Sequence, residues 1–195
     1  MQIIKPYAMT YARIIKAVAF DVDGVMTDNR VWDGLPYKVK IRSYYDGQGI
    51  SLLRAIGLRV CFVTADADES AEPIRQAVEK WNNLPSSWRP ENPQGWSLIS
   101  LFSGRHGEGK VEAVDVWLQS HGLTWKQCAA MGDDLVDLPL LKKVILPAAP
   151  AQAERVAKDN ALFISEREGG HGAVRDFVNF ILQVRDIDPT KLPTK

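Results

Sequence analysis

Short apolar runs alternate with stretches of helical period along nearly the whole chain. Residues 17–20 (Ala-Val-Ala-Phe) form a compact apolar run that reads as a buried parallel strand. Residues 31–32 and 37–41 flank Asp33-Gly34-Leu35-Pro36, a turn signal, and predict a small antiparallel β-hairpin. A helix is expected from residue 49 to about residue 56, ended by Gly57, then a strand over 58–63 and a helix over 69–81. Residues 82–97 break the rhythm. Pro85, Pro90 and Pro93, with Gly95 and several Asn and Ser residues, mark a long loop inserted as either a partial lid or an ornament. The alternation resumes with a strand over 98–102, a helix over 110–120, a strand over 127–131 and a helix over 135–141. A strand at 144–146, a helix near 151–158, a strand at 161–164 and a last helix at 173–184 complete the body. The polar residues 187–195 read as a flexible tail.

Strands alternating with helices imply an α/β, Rossmann-like parallel sheet with helices on both faces, here a single domain over residues 1–195. In such a sheet, right-handed crossovers leave ligands at the carboxyl ends of the strands, so those ends are where chemistry is expected. There is no internal repeat and no low-complexity segment.

Composition narrows the partners. Lys plus Arg and Asp plus Glu both number 24, so the formal charge is zero and nothing global draws the chain to nucleic acid or an anionic membrane. No stretch approaches the roughly 18–20 apolar residues of a membrane span. Residues 1–16 lack the apolar core of a signal peptide, which predicts a cytoplasmic protein. Cys61 and Cys128 each sit in an apolar run and are expected as buried, reduced thiols.

The first strand ends in Asp21-Val22-Asp23-Gly24. Residues two apart in extended chain face the same way, so Asp21 and Asp23 can share one site. Two carboxylates about 4 Å apart repel by about 4 kcal/mol at an effective dielectric near 20, and a bound divalent cation removes that penalty. A second acidic cluster, Gly132-Asp133-Asp134 with Asp137 a turn later, closes another strand. Hard oxygen donors from separate loops suit Mg²⁺ held together with a substrate phosphate, with Asp21, Asp23 and Asp133 as ligands. Asp134 and Asp137 are read as support for that metal, and for Asp134 helix capping is equally open. Thr64 at the end of its strand and Lys110 at the opening of a helix are expected to hold phosphoryl oxygens, with the backbone N–H groups of the Asp23–Gly24 turn. The set predicts phosphoryl transfer: Asp21 attacks phosphorus and Asp23 serves as acid and then base.

These residues resemble the haloacid dehalogenase superfamily, whose four motifs match Asp21 to Asp28, Thr64, Lys110 and Gly132-Asp133-Asp134 in order. Within it the chain is similar to the capless phosphatases that act on 3-deoxy-D-manno-octulosonate 8-phosphate and related sugar acids. Asp46-Gly47-Gln48-Gly49-Ile50 and Gly169-Gly170-His171-Gly172-Ala173-Val174-Arg175 support the likeness. The resemblance implies a Mg²⁺-dependent phosphomonoesterase of lipopolysaccharide biosynthesis, acting on that octulosonate or on a nonulosonate 9-phosphate. It also implies a homotetramer in which the hairpin closes over a neighbour's site. Only 35 residues separate Asp28 from Thr64, too few for an independent cap once a hairpin and a helix are fitted.

Two positions depart from that pattern. Thr64-Ala65-Asp66 stands where the octulosonate phosphatases carry Thr-Gly-Arg, and Tyr45-Asp46-Gly47 where they carry Arg-Asp-Gly. An aspartate repels a sugar carboxylate that an arginine would clamp. Tyr45, Asp46, Gly47 and Arg75 are the substrate candidates, and Arg42, Arg75 or Arg105 could supply the lost charge.

Two other readings compete. Gly104 to Lys110 spells GxxxxGK between a strand and a helix, the frame of a P-loop kinase or NTPase. The next residue is Val111, not the Ser or Thr that meets Mg²⁺. A non-catalytic sugar-phosphate-binding or assembly module of the same fold is the other. His106, His121 and His171 are scattered and form no ligand set with a cysteine. Trp81, Trp88 and Trp96 are expected to pack the 82–97 loop.

Overall fold

The strand β2 (Ala17–Phe20) is apolar at every position and lies at the centre of the sheet, all four residues buried. In the computed structural model, which describes residues 1–32 and 39–193, β2 pairs in parallel with β3 (Arg59–Val63) on one side and β5 (Cys128–Met131) on the other. Outward from these lie β4 (Ser100–Phe102) beside β3, and β6 (Leu146–Ala149) then β7 (Phe163–Ile164) beside β5. The strand β1 (Ile3–Ile4) closes the β7 edge antiparallel, giving the order β1-β7-β6-β5-β2-β3-β4. The expected α/β architecture is what forms.

Alternation along the central strands divides the core into two layers. Val18, Phe20, Val60, Phe62, Ala129 and Met131 face one layer, beneath α1 (Ala8–Ile14), α2 (Tyr44–Ala55), α3 (Glu72–Asn82) and α7 (Ala173–Val184). Ala17, Ala19, Cys61, Val63, Cys128 and Ala130 face the other, beneath α4 (Glu108–Ser120), α5 (Leu138–Lys143) and α6 (Arg155–Asn160). Cys61 and Cys128 are buried free thiols, as expected. Among the described residues no helix is long and apolar enough to cross a membrane.

The segment from residue 21 to 43 leaves and re-enters the sheet through paired arms. Thr27 bridges Arg42 and Trp32 bridges Val39, both antiparallel, which are the arms of the expected hairpin. Its predicted turn at 33–36 lies outside the described residues.

The largest shift from expectation is in α2, which begins at Tyr44 rather than 49. Ser43 caps it, accepting from the Tyr45 N–H at 3.1 Å. Gly47 lies before the expected start and Gly49 at it, and both belong to the helix, where neighbours press on them. A Cβ at Gly47 would stand 3.3 Å from Trp81, and one at Gly49 3.3 Å from Val178 of α7.

Asp46 and Gly47, expected at the substrate, are instead part of this helix packing. Asp46 is fully buried, and its carboxylate accepts from the N–H groups of Gly172 (3.1 Å) and Arg175 (2.9 Å), so it caps α7 from α2. Burial pushes its pKa up to about 6, against the pull of those two hydrogen bonds. A carboxyl whose folded pKa lies above its unfolded value takes up a proton on folding. Its contribution is therefore fullest below about pH 4 and is lost as pH rises toward 6. Asp46→Asn cannot titrate, so the stability advantage of the wild type over this variant should shrink by about 2 to 3 kcal/mol between pH 4 and 7. Urea unfolding at the two pH values reads it; an advantage that grows with pH contradicts the assignment.

Other boundaries move for local reasons. A 3-10 turn, Asp68–Ala71, precedes α3, whose first turn holds Pro73. Another, Leu135–Asp137, precedes α5. The 82–97 insertion folds back on itself: the Trp88 N–H donates to the Trp96 carbonyl (2.8 Å) and the Trp96 N–H to the Ser86 carbonyl (2.7 Å). Arg54 of α2, 2% exposed, reaches into the insertion and donates to the carbonyls of Ser97 and Trp81 (both 2.9 Å) and to the Ser87 hydroxyl (2.8 Å). Past α7, the region read as a tail forms a 3-10 turn at Pro189–Lys191, and Ile187 and Leu192 pack on the core.

Candidate active site

The carboxyl ends of β2, β3 and β5 and the first turn of α4 bring the predicted residues together. Asp21 leaves β2 with its backbone still tied to β5, its N–H donating to the Met131 carbonyl at 3.0 Å. Lys110 enters from the first turn of α4, fully buried, and its ammonium donates to Asp21 Oδ1 (2.7 Å) and Asp137 Oδ1 (2.6 Å). One oxygen of Asp21 is thereby fastened and the other left free.

Asp137 works in two directions. Its other oxygen accepts from the backbone N–H groups of Asp133 (2.9 Å) and Asp134 (3.3 Å), which sets the path of the loop after β5. Asp134 is a helix cap: its carboxylate accepts from the Leu135 N–H at 2.6 Å, with Asp137 completing a capping box.

Asp21, Asp133 and Asp137 each offer a carboxylate oxygen, and these lie within 4.8 Å of one another, all buried. Asp137 is spent on Lys110 and two N–H groups. Asp133 has no Lys or Arg within ion-pair distance among the described residues. Burial, with Asp137 and Asp134 nearby, pushes its pKa up to about 7. Burial also holds Asp21 well above the usual carboxylate range; Asp137 and Asp133 add to this and Lys110 opposes it. Burial alone would lower the Lys110 pKa, but Asp21 and Asp137 more than offset it and hold it above its ordinary value. Three close carboxylates with one ammonium among them are short of positive charge, and their oxygens are hard donors, which suits a divalent cation.

Gly24 makes this approach possible. Its φ of 81° is in the left-handed region, and a Cβ there would fall 1.9 Å from Asp133 Oδ2. The turn carrying Gly24 is braced from behind by Gln152, which donates to the Gly24 carbonyl (2.6 Å) and accepts from the Gly169 N–H (2.8 Å). Gly169 packs directly on the Gly24 carbonyl, where a Cβ would fall 1.9 Å away. The glycine-rich stretch at 169–172 thus shapes the back of the site.

Asp23, expected as a metal ligand, is not in the close group formed by the Asp21, Asp133 and Asp137 carboxylates among the described residues. It accepts from Lys40 (2.8 Å) and from the Thr27 hydroxyl (3.1 Å). Lys40 also donates to Asp66, so it bridges the two acids. Burial would lower the Lys40 pKa; its bonds to Asp23 and Asp66 more than offset that and raise it. Thr27, Lys40 and Asp66 border a solvent-open cleft, lined also by Arg42, Thr64 and Ile74. Thr64 is 1% exposed, and its hydroxyl oxygen accepts from the Asp66 N–H at 3.1 Å, which leaves its own O–H to donate. Two substrate candidates stay outside. Tyr45 is 66% exposed under the Arg167 guanidinium, and Arg75 pairs with Glu72 at 2.7 Å on the exposed face of α3.

A solved structure of a probable YrbI-family phosphatase from Pseudomonas syringae superposes with a TM-score of 0.78 at 30% identity, covering 91% of this chain and 90% of that one. The chain belongs to the capless phosphatases of the haloacid dehalogenase superfamily. A curated member of these phosphatases, the 3-deoxy-D-manno-octulosonate 8-phosphate phosphatase of Salmonella typhimurium, is 26% identical over 180 residues, 92% of this chain and 85% of its own length. The fold is also that of the Moraxella catarrhalis octulosonate phosphatase, solved with a magnesium ion, a phosphate ion and a KDO molecule. That match has a TM-score of 0.78 at 20% identity and covers 92% of each chain. No protein-family model matches the sequence.

Within this capless phosphatase, sequence reasoning missed Lys40 and Gln152. Nothing in the letters distinguishes a hairpin lysine that meets two acids from a solvated one. Gln152 lies 128 residues from the carbonyl it holds.

Proposed function

We propose that the chain hydrolyses the phosphomonoester of a sugar acid, 3-deoxy-D-manno-octulosonate 8-phosphate or a close relative such as a nonulosonate 9-phosphate, through a phosphoryl group carried on Asp21. The carrying observation is the fastening of one Asp21 oxygen by Lys110 while the other stays free beside Asp133. The free oxygen forms a bond to phosphorus as the ester P–O bond breaks, and Asp23 gives its proton to the departing alcohol oxygen. Water then attacks the aspartyl phosphate as Asp23 takes a proton from it, which releases inorganic phosphate, frees the Asp21 carboxylate and restores the Asp23 acid. Lys110, the Thr64 hydroxyl and the N–H groups of the Asp23–Gly24 turn are the donors for the phosphoryl oxygens.

Asp21 and Asp133 would hold Mg²⁺, with Asp137 keeping their frame, and the ion would supply charge that offsets repulsion between carboxylate and phosphate. The magnesium and the sugar acid in the Moraxella structure and the named activity of the Salmonella relative support this reading. Release of inorganic phosphate from the octulosonate phosphate should stop with excess EDTA and return with added Mg²⁺. The apo protein should also gain several degrees of Tm on Mg²⁺ addition. Full activity in EDTA, or a Tm indifferent to Mg²⁺, refutes the metal assignment.

A further inference from the structure

One cation on the cleft wall has no task in the phosphoryl chemistry. Arg42, on the return arm of the hairpin, lines the cleft with Lys40, Thr64 and Asp66. Its guanidinium lies over the Trp81 ring, 5.4 Å from the centroid, and it forms no ion pair among the described residues. The contrast with Lys40 is decisive. Lys40 is spent between Asp23 and Asp66, so those two acids take its single charge and Asp66 does not stand bare toward a ligand. Among the described residues, Arg42 is then the positive charge left over on this wall.

Its setting favours an anion. Trp81 is 8% exposed and stacked on Phe62 at 5.7 Å, so the platform under the guanidinium is fixed by the core. Stacking on an aromatic face leaves the edge of the guanidinium, with its N–H fork, free to meet a planar carboxylate bidentately. Of the three arginines considered as substitutes for the family's missing pair, Arg42 lines the cleft, whereas Arg75 is turned outward to Glu72. Thr64 and Arg42 border the same cleft, so one substrate can reach both with its phosphate and its distal end.

We propose that Arg42 is the specificity-determining residue of this phosphatase, binding the carboxylate at the end of the substrate remote from the phosphate and replacing the arginine lost where Asp66 now stands. The inference rests on the sugar-acid reading above and assigns its recognition to one side chain.

The test compares kcat/KM for 3-deoxy-D-manno-octulosonate 8-phosphate with that for D-mannose 6-phosphate, which lacks a carboxylate, in wild type, Arg42→Met and Arg42→Lys. Methionine keeps an unbranched apolar side chain on Trp81, and lysine keeps the charge without the fork. The wild type should prefer the sugar acid, and Arg42→Met should cut that preference roughly tenfold or more, chiefly through KM of the acid, with Arg42→Lys between. Circular dichroism confirms that each variant is folded, and the lysine variant keeps the test open should methionine fail. A wild type without preference for the acid overturns the sugar-acid reading and this inference with it. A wild type that prefers the acid while both variants keep the full preference overturns the inference alone.

Discussion

Asp21→Asn is expected to lose about 10,000-fold or more in kcat while folding as the wild type does. The amide keeps the size of the carboxylate and an oxygen for Lys110, but it lacks the nucleophilic charge. Stability should hold or rise in the apo protein. Burial and the neighbouring acids already hold the Asp21 pKa well above the usual range, so the charged form is what the fold disfavours. The rise in Tm on adding Mg²⁺ should shrink in the same variant, because one anionic donor is gone. Burst-phase and steady-state phosphate release, with thermal unfolding beside them, read all three. Turnover within tenfold of wild type would remove Asp21 as the nucleophile.

Lys110→Met should show the opposite balance, a heavy structural cost with activity lost as well. The side chain is fully buried between Asp21 and Asp137, with donor distances of 2.7 and 2.6 Å. Methionine fills similar space but leaves two buried carboxylates facing each other with no cation, a loss of about 3 to 5 kcal/mol. For a domain of this size that is a fall in Tm on the order of 10 °C. Phosphate hydrolysis should drop about 100- to 1,000-fold, since a donor to the transferring group is lost. Mg²⁺ returns positive charge to the same acids, so it should recover part of the Tm and raise it by more than in the wild type. A variant as stable as the wild type without metal would show that this ammonium does not neutralise the cluster.

The sheet and most of the machinery were legible because each rests on a local signal. Ala17–Phe20 is apolar at every position, and the acids follow at the strand end where α/β sheets hold ligands. Asp21, Lys110 and Asp133 lie together at the strand ends, and α7 spans residues 173–184 as expected. What stayed hidden depends on partners far away in sequence. The helix was expected to start at Gly49 rather than Tyr44 because nothing nearby reveals Trp81 pressing on Gly47 of α2. Asp46 looked like a substrate contact because its burial under the start of α7 spans 126 residues of sequence. Two-residue β1 is too short to carry a period, and only its pairing with β7 defines it. The Asp23 contact with Lys40 was hidden too: facing the same way as Asp21 along the strand does not fix which partner its carboxylate meets.

One guanidinium ties residues 82–97 to α2. Arg54 stays charged at neutral pH even though burial lowers its pKa to about 10, and its three hydrogen bonds to oxygens of Trp81, Ser87 and Ser97 all reach across to the insertion or its roots. Peeling the segment away would strip those bonds from a desolvated ion, at roughly 1.5 kcal/mol or more for each. Motion on that scale belongs to partial unfolding, slower and rarer than a turnover cycle. The insertion therefore behaves as a buttress riveted to α2 by Arg54.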